Sequence, residues 1–212
     1  AYESENYERG LAGWVMRRSH ALLEKDFGPD VHFARVLEVG AGSGVHLRYV
    51  RHSFESYVMT DTSSAMLERV AEWPRAKASG TVSARVADAA HLDLPDASVD
   101  RLIATHVLEH LPQPQLVMEE WLRVVRPGGV LSIVLPCDPG MLWRLGRHFG
   151  PRARGRSRGL EYDYVMALEH INPVNNLVAI IRHHALRRRE RWWPAMLPSM
   201  DLNLIYAVNI TR

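Results

Sequence analysis

The sequence predicts an α/β chain built on one doubly wound, seven-stranded, mostly parallel sheet that ends in an antiparallel C-terminal hairpin. Three observations carry that expectation. Short apolar runs alternate with amphipathic, helix-period segments over the first two thirds of the chain, the pattern of strands joined by crossover helices. The first run leads into a glycine turn, Glu38-Val-Gly-Ala-Gly-Ser-Gly44. Successive runs then end on acids, at Glu38, Asp61 and Asp88. The C-terminal ends of parallel strands are where such sheets bind ligands.

The elements follow in order. Residues 7–25 read as an amphipathic helix with Leu11, Trp14, Val15, Leu22 and Leu23 near one face, ended by Gly28-Pro29. A strand over 35–39 enters the glycine turn, and a helix over about 44–53 should leave it. Tyr57–Thr60 is a second strand, and Ser63 and Ser64 can cap a helix over about 63–72 that Pro74 stops. Thr81–Ala87 and Val99–Thr105 are strands three and four, and 112–126 is a helix. Pro127-Gly128-Gly129 turns sharply into a fifth strand, Val130–Leu135. Residues 136–170, rich in Pro, Gly and Arg, are too long for a plain loop and read as a substrate-side insertion with a short helix of its own. Asn172 and Pro173 should serve as cap and first residue of a helix through Ile181. Arg188–Trp193 and Leu202–Ile210 are the closing strands, and their short link favours an antiparallel pair. No repeat or internal boundary interrupts 1–212, so a single domain is expected.

Composition narrows the class. A hydrophobic fraction of 47% and a net charge of +2 are ordinary for a globular protein. Cys137 is the one cysteine, which excludes an intrachain disulfide, and no apolar run reaches the roughly 20 residues of a membrane span. The start is acidic and polar, unlike a signal peptide, and a cytoplasmic protein is expected. The charge is uneven. Arg144, Arg147, Arg152, Arg154, Arg156 and Arg158 lie in the insertion with no acid between Asp138 and Glu161. Arg182, Arg187, Arg188, Arg189 and Arg191 form a second cluster.

The glycine turn departs from the dinucleotide fingerprint G-x-G-x-x-G, because its third glycine falls one position early and Val45 stands where Gly or Ala is wanted. Downstream come Asp61 with Ser63-Ser-Ala-Met66, Val86-Ala-Asp88-Ala89, Thr105-His-Val-Leu-Glu-His-Leu111 and Arg126-Pro-Gly-Gly-Val-Leu131. In this order and spacing, residues 35–136 resemble the class I S-adenosylmethionine (SAM) dependent methyltransferases of the small-molecule type 11 branch. The resemblance implies a Rossmann-like methyltransferase fold with SAM as cofactor. It implies that Gly40, Gly42 and Gly44 admit the methionine part, and that Glu38 supports that loop or meets the amino group. Asp61 would accept from both ribose hydroxyls, Met66 would pack near the adenine, and Asp88 with the Ala89 N–H would take its edge. His106 would lie beside the sulfonium, with Ala41, Thr62 and Thr105 completing the surround.

Methyl transfer asks the protein to align acceptor, methyl and leaving sulfur, and to remove a proton when the acceptor is a hydroxyl. Histidine suits that removal, and the candidates are His170, near the tyrosines and acids of Glu161–Tyr164 and Glu169, and His106. Glu109-His110 reads as structural, holding the loop after strand four. For the acceptor, Tyr7, Trp14, Arg144, Tyr162 and Tyr164 are the candidates, with core packing fitting Trp14 equally well. The arginines suit an anionic group or form a solvated lid. Tryptophans beside arginines fit a lipid- or sugar-linked acceptor with at most peripheral membrane contact. Pro136-Cys137 lies where one RNA cytosine-modifying branch keeps a nucleophile, but the loop after strand four lacks that chemistry's Pro-Cys pair and the Pro-Pro tetrad of base N-methyltransferases. Nucleic acid is therefore disfavoured as partner, and an RNA-modifying enzyme or a catalytically silent SAM-binding protein are the alternatives. No spacing suggests a metal, and His183-His184 reads as a charged helix end.

Overall fold

A computed structural model of the chain describes residues 10–72, 80–149, 152 and 161–212. Its seven strands are β1 (His32–Val39), β2 (Ser53–Asp61), β3 (Thr81–Val86), β4 (Val99–Thr105), β5 (Val125–Pro136), β6 (Arg188–Pro194) and β7 (Asn203–Thr211). The helices are α1 (Gly10–Leu23), α2 (Ser64–Glu68), α3 (Pro114–Val124), α4 (Met141–Phe149), α5 (Tyr162–Glu169) and α6 (Val174–His184). One sheet holds all the strands in the order β3-β2-β1-β4-β5-β7-β6. The first five run parallel, and β7 pairs antiparallel with both β5 and β6. The expected fold class is therefore what the chain adopts.

Both faces of the sheet are covered, which is why its central strands are apolar without alternation. On β1 and β4, Leu37, Val39, Leu102 and Ala104 face a core shared with α3 and α6. Val36 and Ile103 face the opposite core with Val15, Leu22 and Leu23 of α1. Trp121 of α3 is fully buried and satisfies its indole N–H on the Ala89 carbonyl at 2.8 Å. The strand order reverses between β1 and β4, and in doubly wound sheets ligands bind in the crevice outside the C-terminal strand ends at such a switch point.

Several local expectations are corrected. The glycine turn is followed by one short 3-10 segment, Val45–Tyr49, rather than a helix to 53. The chain has to return early, because β2 begins at Ser53, paired with His32, well before the expected Tyr57. The next helix is α2 plus a 3-10 turn, Arg69–Glu72, with Ser63 as its cap through the Met66 N–H. β5 starts at Val125 and carries the Arg-Pro-Gly-Gly turn within it. Among its described residues the insertion carries the helices α4 and α5, where one short helix was expected. Pro173 is the N-cap of α6 and makes no side-chain cap bond. Asn172 instead donates its amide to the Leu108 and Leu111 carbonyls, at 3.1 and 2.7 Å. Its backbone N–H also reaches the Glu109 carbonyl at 3.1 Å. Asn172 thus fastens the loop after β4 to the end of the insertion.

Candidate active site

The glycine turn sits at the switch point. Gly40, Gly42 and Gly44 all have positive φ, at 59°, 54° and 76°. At Gly40 a Cβ would also stand 2.5 Å from the Val107 side chain, so the turn and the loop after β4 approach more closely than a side chain allows. The Ala41 N–H is held by the Thr60 carbonyl at 2.8 Å and the Gly44 N–H by the Ala41 carbonyl at 2.8 Å. Asp61, at the end of β2, accepts from the Gly42 N–H at 2.8 Å and the Ser63 N–H at 2.9 Å, one oxygen each. Each carboxylate oxygen keeps further acceptor capacity, which is what a ribose diol requires. Met66 lies against Gly42, Thr62 is exposed beside Asp61, and Thr105 is buried at the end of β4.

Glu38 is buried at 1% exposure and accepts from the Tyr57 hydroxyl at 2.7 Å. Burial raises its carboxyl above the usual 4.5, against the pull of His46 and the Tyr57 bond. The Glu38 side chain is thus held by Tyr57 of β2, and its carbonyl accepts from the Thr60 hydroxyl at 3.1 Å. Asp88 is exposed, accepting from the Ala90 N–H at 2.8 Å and meeting His91 Nδ1 at 3.2 Å. Ala89 is buried next to it.

His106 has left-handed backbone, φ 58°, and its N–H is held by the Val134 carbonyl at 3.0 Å. Its Nε2 lies 3.0 Å from the Ser19 hydroxyl, whose own proton goes to the Met16 carbonyl at 2.7 Å. Nε2–H therefore donates to Ser19, tying α1 to the loop after β4. Nδ1 of His106 is left 3.7 Å from the Glu109 carboxylate.

His170 ends α5 and binds the Asp138 carboxylate through Nδ1 at 2.9 Å. Burial would raise the Asp138 carboxyl, yet the His170 bond and the Arg147 guanidinium at 3.0 Å outweigh it and hold it low. His110 stands edge-on to His170, with ring centroids 5.0 Å apart. Here the tyrosines separate: Tyr162 is buried near the Arg147 guanidinium, 5.4 Å from its ring, whereas Tyr164 is 62% exposed. Arg144 is exposed on α4. Trp14 is 43% exposed and packs edge-to-face on Trp193 at 4.9 Å. Trp193 pairs with Ile205 and Ile205 with Pro136, so the two tryptophans stand at the crevice end of β5. Tyr7, Arg154, Arg156 and Arg158 lie outside the described residues.

The fold also assembles a buried polar chain that sequence reasoning missed. Arg101 of β4 is fully buried, and its guanidinium holds the Glu24 carboxylate in a two-pronged bond at 3.0 and 2.7 Å. Glu24 also accepts from His46 Nε2 at 2.9 Å, and His46 Nδ1 meets His20 Nδ1 at 2.9 Å. Burial would raise the Glu24 carboxyl, but Arg101 and His46 outweigh it and hold it at about 2. This chain binds α1 to the glycine turn. Arg101 in an apolar strand was the available signal, because a buried charge demands a partner.

Among the described residues, six arginines of the two patches are ion-paired within the fold. Arg147 pairs with Asp138, Arg152 with Asp163, Arg182 and Arg188 with Glu190, and Arg189 and Arg191 with Asp26. Cys137 is buried, and burial pushes its thiol up to about 12, far from a thiolate nucleophile.

Sheet order, glycine turn and acids at the strand ends are similar to those of the class I SAM-dependent methyltransferases of type 11. Comparison with known proteins agrees. Residues 37–133 match the methyltransferase domain family. A phosphatidylethanolamine N-methyltransferase of Cereibacter sphaeroides is 37% identical over 47% of this chain and 49% of its own length. A 2-methyl-6-phytyl-1,4-hydroquinone methyltransferase of Oryza sativa subsp. japonica is 32% identical over 50% of this chain and 30% of its own. A SAM-dependent methyltransferase structure from Archaeoglobus fulgidus superposes with a TM-score of 0.65 at 14% identity, covering 100% of this chain and 99% of that one. The chain spans about half or less of the curated relatives it matches. Among the described residues no helix is long and apolar enough to cross a membrane.

Proposed function

We propose that this protein moves the methyl group of SAM to a hydroxyl or amine of a small acceptor that is lipid- or sugar-linked or carries an anionic group. The observation that carries the reading is the meeting of the glycine turn, Asp61 and His106 at the switch point between β1 and β4. His106 serves the reacting methyl, and His170 meets the acceptor from the insertion. Trp14, Tyr162, Tyr164 and Arg144 line the acceptor side in this reading, with Tyr7 joining them from outside the described residues. The amphiphilic acceptors named for two relatives, a phospholipid amine and a phytylated hydroquinone, favour a lipid-linked molecule, as does the tryptophan rim. The ion pairs that hold Arg147, Arg182 and Arg191 support a small acceptor over RNA.

The test is methyl transfer from labelled SAM to a panel of amphiphilic hydroquinones, phenols and ethanolamine lipids. His170→Ala should bind S-adenosylhomocysteine like the wild type and lose about 10²–10⁴-fold in turnover. A His170→Ala protein with wild-type turnover contradicts the assignment.

A further inference from the structure

The loop after β4 and the end of α5 bring together three donors that lie far apart in the chain. Glu109, His110 and His170 each offer one ligand atom, and these atoms all lie within 4.8 Å of one another. No ligand spacing announces the set, because His170 enters from the insertion. The Glu109 carboxylate is 3.8 Å from His110 Nε2. A tetrahedral zinc with bonds of about 2.0–2.1 Å holds its ligand atoms about 3.3 Å apart, so modest side-chain rotation closes the set.

The second observation is how the donors are prepared. His110 Nδ1 is 2.7 Å from the Glu169 carbonyl, which can only accept, so the proton sits on Nδ1 and the lone pair on Nε2. His170 Nδ1 is likewise committed to the Asp138 carboxylate at 2.9 Å, which again leaves Nε2 as a lone pair. Carbonyl and carboxylate partners at the far nitrogen are the supports that metal-binding histidines use. Glu109 is buried at 2% exposure, and its Oε2 has no hydrogen-bond partner. A buried carboxylate oxygen left without a donor is an acceptor that a bound cation satisfies.

We propose that Glu109, His110 and His170 form a binding site for a first-row divalent cation of the zinc type, with an open coordination position toward the acceptor. Two imidazoles and one carboxylate suit zinc or cobalt, whereas magnesium and calcium prefer all-oxygen sets. The site stands on these three ligands alone, and its role rests on the methyl-transfer reading. An acceptor hydroxyl bound there gives up its proton to solvent water and keeps the electron pair. That oxygen attacks the methyl carbon, and the carbon–sulfur bond breaks to leave neutral S-adenosylhomocysteine. His170 then acts as a ligand through Nε2, the ring nitrogen that its Asp138 bond leaves free.

The experiment is a titration of the untagged, metal-stripped chain with Co²⁺, read by its ligand-field absorption, and with Zn²⁺, read by calorimetry. Binding should be one-to-one and weaken at least tenfold in Glu109→Gln, His110→Ala and His170→Ala. Asp138→Asn, which removes the charge behind His170, should weaken it by about 10–100-fold. Glu109→Gln preserves shape, and S-adenosylhomocysteine binding in each variant reports an intact fold. Absence of one-to-one binding, or binding that survives these variants and is lost in His183→Ala, overturns the site. Loss of S-adenosylhomocysteine binding by the wild type would instead overturn the methyltransferase reading.

Discussion

Arg101 is the residue on which most of the buried electrostatics turns. Its guanidinium holds Glu24 and lies 4.0 Å from the Phe27 ring centroid, all out of water. Arg101→Met leaves Glu24 buried with half its partners, and we expect a loss of about 3–5 kcal/mol in urea unfolding. An unchanged midpoint would show the pair to be ornamental. Acid should act through two sets of groups. Burial and the Arg101 charge push the His52 imidazole from 6.5 down to about 4, and burial with His46 holds His20 well below 6.5. Depressed imidazoles add stability above the unfolded value of 6.5, and it is lost as pH falls toward 4. Glu24, depressed from 4.5 to about 2, adds stability above 4.5 that is lost between those values. Urea midpoints should therefore decline in two stages, from pH 6.5 to 4 and again below 4.5. A midpoint flat from pH 7 to 4 contradicts the buried, neutral histidines.

At the scale of elements, the glycine turn sharpens from a motif into a contact. Gly40 is required by its φ of 59° and by the Val107 side chain that would meet a Cβ at 2.5 Å. Gly40→Ala should push the turn away from the loop after β4, lowering both the melting temperature and affinity for S-adenosylhomocysteine. Retention of both would place the close approach elsewhere. The strands were readable because each is an apolar run bounded by turn residues, and β4 falls on the residues expected, Val99–Thr105. The helix after the turn was not, since the early pairing of Ser53 with His32 decides its length and no local residue reports that pairing. The insertion was legible as an irregular stretch, but its two helices take their positions from contacts such as Asp138–His170 and Asn172–Leu108. Those join residues 32 and 64 positions apart.

At the scale of the whole molecule, the order β3-β2-β1-β4-β5-β7-β6 gathers Gly40–Gly44, Asp61 and His106 at one edge of the sheet. That convergence could be read from the sequence, because each motif residue closes a strand whose direction the crossover pattern fixes. The grouping of Glu109, His110, Asp138 and His170 could not, because these residues converge only when β4, β5 and α5 are packed. The central claim is that the crevice is a SAM site, and calorimetry with S-adenosylhomocysteine tests it most directly. The account predicts one-to-one binding that weakens by about 10–100-fold in Asp61→Ala, the cost of losing charge-assisted hydrogen bonds. No binding of S-adenosylhomocysteine, with NAD binding in its place, would contradict it.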